Sequence, residues 1–399
     1  MAYTTTTKQS YGNRVSKSFK GIGSGILLFI IGTVLLFWNE GRTVKVKRAL
    51  NQAADVTVEM PDISRIDPQF EGKMVHAIGD ASTAEILSDG LFGISLNAIN
   101  LSRNVEYYQW TEQSKEEKKE KIGGGQEITT TYTYSKKWVS SPINSSDFAD
   151  PDYKNSNFVL TTIESNQIVA DVVDFGAYKL PPFLKYGISS AEEATPELTE
   201  QMIKEWNEVL WKRDSSATVT VSTGQAYFGR DVNNPDVGDV RVTFGYTPTP
   251  QTVSILAVVV GDTFGEFVAK NGKNVSRIAL GSVSAANMYD AAQKENKVIA
   301  WILRIIAVIL IIGGLRGIFN FLSTIFAVVP FIRRVLAAGI NFICTVVGLI
   351  WSLLIFVIAW ISYRPALGIT LLVLIAAIIV LLVMRSKKKK NIPADMPAQ

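Results

Sequence analysis

His76 is the only histidine of the chain and Cys344 the only cysteine. Those two counts remove His-bearing triads that need a second histidine and Cys–His dyads outside a membrane. They also remove every zinc site built on two or more His or Cys ligands. A lone cysteine forms no intrachain disulfide, so oxidation does not brace the fold. His76 alternates with Met74 and Ile78 in a strand-like stretch and reads as structural. Asp147, Asp150 and Asp152, with Asn144 upstream, supply oxygen atoms but lack the glycine and terminal glutamate of a calcium loop, so they read as a solvated turn. Asp236 and Asp239 around Gly238 read as turn chemistry entering a strand. The sequence holds no Gly-x-Gly-x-x-Gly and no phosphate-binding loop. Serine–lysine and paired-carboxylate mechanisms survive the counts, but no spacing singles one out. We assign no catalytic, metal-binding or cofactor-binding residue and expect no cofactor.

The elements that would position any chemistry are dominated by four apolar runs. The first, Ile22–Trp38, follows a tail bearing Lys8, Arg14, Lys17 and Lys20, and no small-residue cleavage site follows it, so it reads as an uncleaved anchor. The others are Val298–Leu315, Val335–Ile361 and the stretch 365–384. Each is long enough to cross about 30 Å of hydrocarbon at about 1.5 Å per residue. Gly317–Ile332 is also apolar, but only Arg316 separates it from the preceding run, too little for a transmembrane hairpin. We therefore read 316–334 as an interfacial or re-entrant segment on the cytoplasmic side. The expected fold is an α+β membrane protein. A basic tail (1–20) leads into helix 1 (21–38), a large, mainly β extracytoplasmic or lumenal domain (39–297) and helix 2 (298–315). Helices 3 (335–361) and 4 (365–384) and a basic tail (385–399) follow.

Lys and Arg near the span ends set the orientation. Both termini cytoplasmic places 12 of these charges inside against 7 outside, the outer set including Arg42, Lys47, Lys297 and Arg364. The net charge of +4 is concentrated in the tails, where basic residues attract anionic headgroups at about 1 kcal/mol each. The basic run abuts a span and carries no interleaved aromatics, so nucleic acid is not an expected partner. Inside the spans no carboxylate appears, and Arg304 reads as a snorkelling side chain near the outer interface. Gly21 with Gly25, and Gly313 with Gly317, have the small-x-x-x-small spacing of closely packed helices and raise self-association.

The domain between the first two spans reads as β-rich. Val105–Thr111 and Ile128–Val139 flank the polar stretch Ser114–Gln126 as a long hairpin with a solvated end. Further strands are expected at Met74–Ile78, Phe158–Ile163, Ala217–Ser222, Asp239–Tyr246 and Thr252–Val260. A helix over Pro196–Lys212 places Leu198, Met202, Trp206 and Leu210 near one face, packed on the sheet or lying on the membrane. Asn100, Asn144 and Asn274 head Asn-x-Ser sequons.

A set of short motifs in order along the chain resembles the LUMA (transmembrane protein 43) family. They are Asn39-Glu40-Gly41-Arg42 after the first span, Val75-His76-x-Ile78-Gly79, Val105-Glu106-x-Tyr108-Gln109-Trp110, Trp138 followed by Ile143-Asn144-Ser145 and Phe148, Pro235-x-Val237-Gly238-Asp239-Val240-Arg241-Val242-x-Phe244, and Tyr363-Arg364-Pro365. The resemblance implies a multi-pass protein that organises membrane protein complexes and self-associates. In animal cells it would reside in the endoplasmic reticulum and inner nuclear membrane and bind emerin and lamins; a bacterial member would sit in the plasma membrane. The tail bears no mark of nuclear partners, which favours the bacterial setting. The family brings no established catalytic residue.

The leading expectation is a non-enzymatic membrane organiser with membrane lipids and other membrane proteins as partners. Its rivals are a lipid-handling membrane enzyme and a channel or channel modulator. Interaction or membrane-proximal candidates are Arg42, Tyr108, Trp110, Phe175, Tyr178, Phe183, Trp206, Arg304 and Arg364.

Overall fold

A computed structural model describes residues 2–190, 192–328, 330–365, 369, 370 and 373. Apart from 365, 369, 370 and 373, the expected fourth span and the basic tail lie outside the described residues. Five α-helices occur among them: α1 (Tyr11–Val56), α2 (Pro182–Lys185), α3 (Glu200–Trp211), α4 (Ala285–Ile325) and α5 (Pro330–Tyr363). The chain divides into two compact units, one of residues 1–7, 49–118 and 128–292, the other of 8–48, 119–127 and 293–399.

Three helices of the second unit, α1, α4 and the 335–363 part of α5, are long and apolar enough to cross a membrane. The 46 residues of α1 extend about 69 Å, more than twice a hydrocarbon core of about 30 Å, so the helix continues past its apolar run at both ends. Arg316 ends no helix. α4 runs through it to Ile325, and a 3-10 turn, Phe326–Val328, precedes Pro330 at the start of α5, where a missing N–H costs nothing. Residues 316–334 are thus divided between the ends of α4 and α5.

Small residues bring α1 and α4 together. A Cβ added at Gly25 would stand 2.7 Å from the Ile318 nitrogen and 2.8 Å from the Gly314 oxygen. One added at Gly32 would stand 2.9 Å from the Ala307 oxygen. Gly21 and Gly313 have nothing within 4 Å. Of the glycines singled out by spacing, Gly25 and Gly317 therefore serve packing within the chain, beside Gly32 and Gly314. Leu36, Ala307, Ile311, Cys344 and Ile355 form the buried centre of this unit.

The end of the long hairpin is not simply solvated. Arg14, 5% exposed, pairs with Glu120 at 2.8 Å and donates to the Gly124 carbonyl, and the Gly123 N–H donates to the Val328 carbonyl. The expected organisation put Arg14 in the basic tail and Glu120 in the domain between the first two spans, and this ion pair joins the two.

The first unit is β-rich. Its larger sheet is built on the long strands Ile94–Glu120 and Gln126–Val139, with Val240–Pro248, Gln225–Gly229 and Thr218–Ser222 following in order. Val240, Val242 and Phe244 are buried while Arg241 and Thr243 alternate outward, the period of two that a half-buried strand requires. In the smaller sheet Met74–Ser82 pairs antiparallel with Gln251–Val260, Val258 opposite Met74 and Gln251 opposite Ala81. Both sheets contribute to one core, in which Val105, Tyr107, Phe228 and Val242 join Val75, Val253 and Ile255.

Of the expected strands, Phe158–Ile163 is not one. Its carbonyls accept instead from side chains of the long strand, Phe158 from Gln109 and Ile163 from Tyr107, and the strand begins at Asn166. The expected helix is α3. Thr199 caps it by accepting from the Met202 N–H.

The seam between α1 and α4 admits no side chain at Gly314, where a Cβ would lie 2.5 Å from the Phe29 nitrogen. Gly314→Val is expected to force the helices apart and lower stability in detergent by about 3 kcal/mol or more, read by denaturant titration against Gly313→Val, which should change it little.

Candidate functional site

Glu40 lies two residues past the first apolar run and is 0% exposed. A lone buried carboxylate is too costly to ionise in an apolar bundle; this one is surrounded by donors. Arg304 of α4 meets it as a fork, Nε to Oε1 at 2.6 Å and Nη2 to Oε2 at 3.0 Å, and the Trp360 indole N–H of α5 donates to Oε2 at 2.9 Å. The fork geometry is the strong form of a carboxylate–guanidinium pair. The guanidinium carbon stands 5.0 Å from the Trp301 ring centroid and 5.6 Å from that of Phe356, within cation–π range. One carboxylate thus ties three helices.

The neighbouring polar groups extend the tie. The Asn39 amide donates to the Ala300 carbonyl at 3.0 Å and Asn296 to the Thr43 carbonyl at 3.1 Å, so α1 and α4 exchange bonds four residues apart on each. Gly41 lets α5 approach, since a Cβ there would lie 2.6 Å from the Tyr363 ring. Arg48 donates to the Tyr363 carbonyl at 2.6 Å, putting a cation on the terminal carbonyls of α5.

Chemically, the cluster is a lock. Both of its carboxylate oxygens are engaged by donors. Arg304 was expected to snorkel; instead it turns inward, because a buried partner carboxylate competes better for the guanidinium than the interface does. Sequence reasoning missed Glu40, Trp360, Asn39 and Asn296 as site residues. The signal was present: an arginine six residues into an apolar run calls for a carboxylate, and Glu40 directly follows another such run.

The remaining candidates separate. Arg42 is half-buried, with Nε and Nη2 buried and without partners. Arg364 is half-buried at the end of α5. Phe175 and Tyr178 are both 0% exposed, Phe175 edge-on to Phe264 and Tyr178 accepting from the Asp67 N–H. They are core and have no surface to offer a membrane, which corrects their reading as membrane-proximal contacts. Phe183 is 38% exposed. Trp206 stacks on Phe92 at 5.9 Å and meets Phe228 edge-on at 5.0 Å, so α3 packs on the sheet.

Tyr108 and Trp110 face outward from the long strand, each half-buried. Tyr108 packs on Trp138 at 5.1 Å, and the Arg241 guanidinium lies 4.4 Å over Trp138 while pairing with Glu106. Trp110 meets Tyr153 edge-on at 4.8 Å with the Lys136 ammonium 5.4 Å from its ring. The result is a continuous aromatic and cationic face on the larger sheet. Beneath it Asp239, 3% exposed, accepts from the Tyr227 hydroxyl and the Asp236 N–H. Burial pushes the Asp239 carboxyl up from its ordinary range and the Tyr227 phenol up as well.

Other polar candidates resolve into structural ties. His76 is held between the Glu59 carboxylate at 2.6 Å and the Val283 carbonyl at 2.9 Å. Asn144 and Asp150 cap short turns. Asn100 is 0% exposed and donates to Ile188 and Thr247, closing that sequon to a glycan in the folded chain. Among the described residues no group of three His, Cys, Asp or Glu is placed to hold a metal ion.

A family model described as "Transmembrane protein 43" matches residues 107–365, which bears out the resemblance carried by the motifs. "Transmembrane protein 43" of Homo sapiens is 27% identical over 371 residues, covering 90% of this chain and 89% of that protein. The Mus musculus protein of the same name is 28% identical over 373 residues, covering 91% and 89%. The "Transmembrane protein 43 homolog" of Drosophila melanogaster is 28% identical over 354 residues, covering 87% and 90%. No solved structure matches the chain.

The Trp360 indole N–H satisfies a buried Glu40 oxygen, so Trp360→Phe, which retains the ring packing but leaves that oxygen short of a donor, is expected to cost about 1–3 kcal/mol. Thermal unfolding of the detergent-solubilised chain checks it; Trp351→Phe, which removes only a donor to the Thr33 hydroxyl, should cost less.

Proposed function

The chain belongs to the transmembrane protein 43 family, and from that premise we propose that it is a non-enzymatic organiser of membrane protein complexes. In this reading the helices fix the chain in a bilayer and the aromatic and cationic face of the β-rich unit recruits other membrane proteins, further copies of this chain included. The observation that carries the reading is that face, in which Tyr108, Trp110, Trp138, Lys136 and Arg241 stand together, half-buried, on one side of a sheet. Aromatic rings and arginine are the side chains that carry binding energy at protein interfaces.

The family's description as a transmembrane protein agrees with a role other than catalysis. A channel reading finds less support. Thr345 and Ser352, polar residues within the third apolar run, each donate to a carbonyl four residues back on their own helix.

Trp110→Ala removes the edge-on contact with Tyr153 and the Lys136 contact with its ring, each worth about 1 kcal/mol, and should leave the chain folded. Affinity purification of the intact detergent-solubilised chain, with bound proteins identified by mass spectrometry, is expected to recover membrane proteins with the wild type and to lose them with Trp110→Ala. Unchanged complexes from a folded variant would sink the assignment of this face.

A further inference from the structure

At the Glu40 end of the helices lies a cavity of about 210 Å³, lined in part by Lys47, Asn296, Lys297, Trp301, Trp360 and Arg364. This is room for several waters, and so for a small polar headgroup. Its charge is one-sided. Lys47 comes from α1, Lys297 from α4 and Arg364 from the end of α5, and none of the three makes an ion pair among the described residues. Glu40, which Arg304 and Trp360 of the cavity wall hold, is already paired with a cation.

Asn296, on the same wall, is 4% exposed and its amide nitrogen donates to Thr43, so the wall is fixed in place and asks chiefly for a group that satisfies cations. The level in the bundle narrows the source. Lys297 directly precedes the apolar run that opens at Val298, Arg364 follows the run that closes at Ile361, and Lys47 lies past the run that closes at Trp38. Trp301 is 61% exposed beside them, and tryptophan settles at the headgroup level of a bilayer.

We propose that this cavity binds the headgroup of an acidic glycerophospholipid. The phosphodiester oxygens sit among Lys47, Lys297 and Arg364, and the acyl chains run outward along the apolar surface below Trp301. A choline headgroup fits poorly, since it adds a cation to three others. The inference deepens the organiser reading by naming a lipid for it, but it rests on the cavity alone and needs no protein partner.

Native mass spectrometry of the intact chain, released from micelles doped with phosphatidylglycerol or phosphatidylcholine, tests it. The wild type is expected to retain one phosphatidylglycerol with a preference of about tenfold or more over phosphatidylcholine. Lys47→Gln with Lys297→Gln and Arg364→Gln should abolish the preference, whereas Lys154→Gln with Lys212→Gln, at exposed positions of the β-rich unit, should leave it unchanged. Lys47→Gln alone, at an exposed side chain, should weaken retention about fivefold without touching the fold. Equal retention by the triple variant, or by Lys47→Gln, overturns the proposal. Displacement of the lipid by glycerol phosphate at equal affinity overturns the lipid source and makes this a soluble phosphoester site. Protein complexes that persist when lipid selectivity is lost, or the reverse, separate this proposal from the organiser reading.

Discussion

A carboxylate placed where water is scarce has to be matched or neutralised, and most of what is distinctive in the helical unit follows from how Glu40 is matched. Its fork with Arg304 fixes the rotation and height of α4 against α1, because two bonds to one guanidinium leave little freedom to slide. The Trp360 N–H adds α5 to the same point. Close approach is a precondition: the absence of a side chain at Gly25, Gly32, Gly41 and Gly314 brings the helix backbones near enough for these groups to meet. The desolvation cost of such a pair argues against a role in raw stability; specificity of packing is the better-supported role of buried ion pairs. The glycines and the ion pair are therefore parts of one device, proximity supplied by the first and register by the second.

The β-rich unit works on a different principle. Its core is apolar and shared by two sheets, so its outer face is released from packing duty and carries aromatic rings paired with cations. Arg241 illustrates the economy of this arrangement. On a strand whose alternate residues Val240 and Val242 are buried, it pairs with Glu106 and covers Trp138 at once. The same strand's entry turn is anchored by Asp239, whose buried carboxyl holds Tyr227 and the Asp236 backbone. The face is consequently rigid, which reduces the ordering cost of any complex made on it.

Much of this was legible before any coordinates. Apolar runs of 17 or more residues mark spans by length alone, and strands such as Met74–Ser82 and Val240–Pro248 announce themselves by alternation. What was not legible has physical causes. The first apolar run ends at Trp38, so Glu40 fell outside its span although its helix continues to Val56. Arg316 looked like a boundary because it interrupts an apolar stretch that α4 continues through. Phe158–Ile163 has strand composition, but side chains from a neighbouring strand take its carbonyls, a tertiary contact that no local pattern encodes. Phe175 and Tyr178 looked like a membrane-facing pair in a loop rich in proline, and only packing shows that they fill the core. The Arg14–Glu120 contact likewise joins residues 106 positions apart, beyond the reach of a count of flanking charges.

The central claim is that Glu40 and Arg304 act as one unit. A double-mutant cycle in detergent, with Glu40→Gln, Arg304→Met and the two combined, measures this directly. The account predicts that each single variant loses about 3–5 kcal/mol, because a buried partner is left unmatched, and that the double variant loses far less than their sum. Additive losses, or single variants as stable as the wild type, would contradict it.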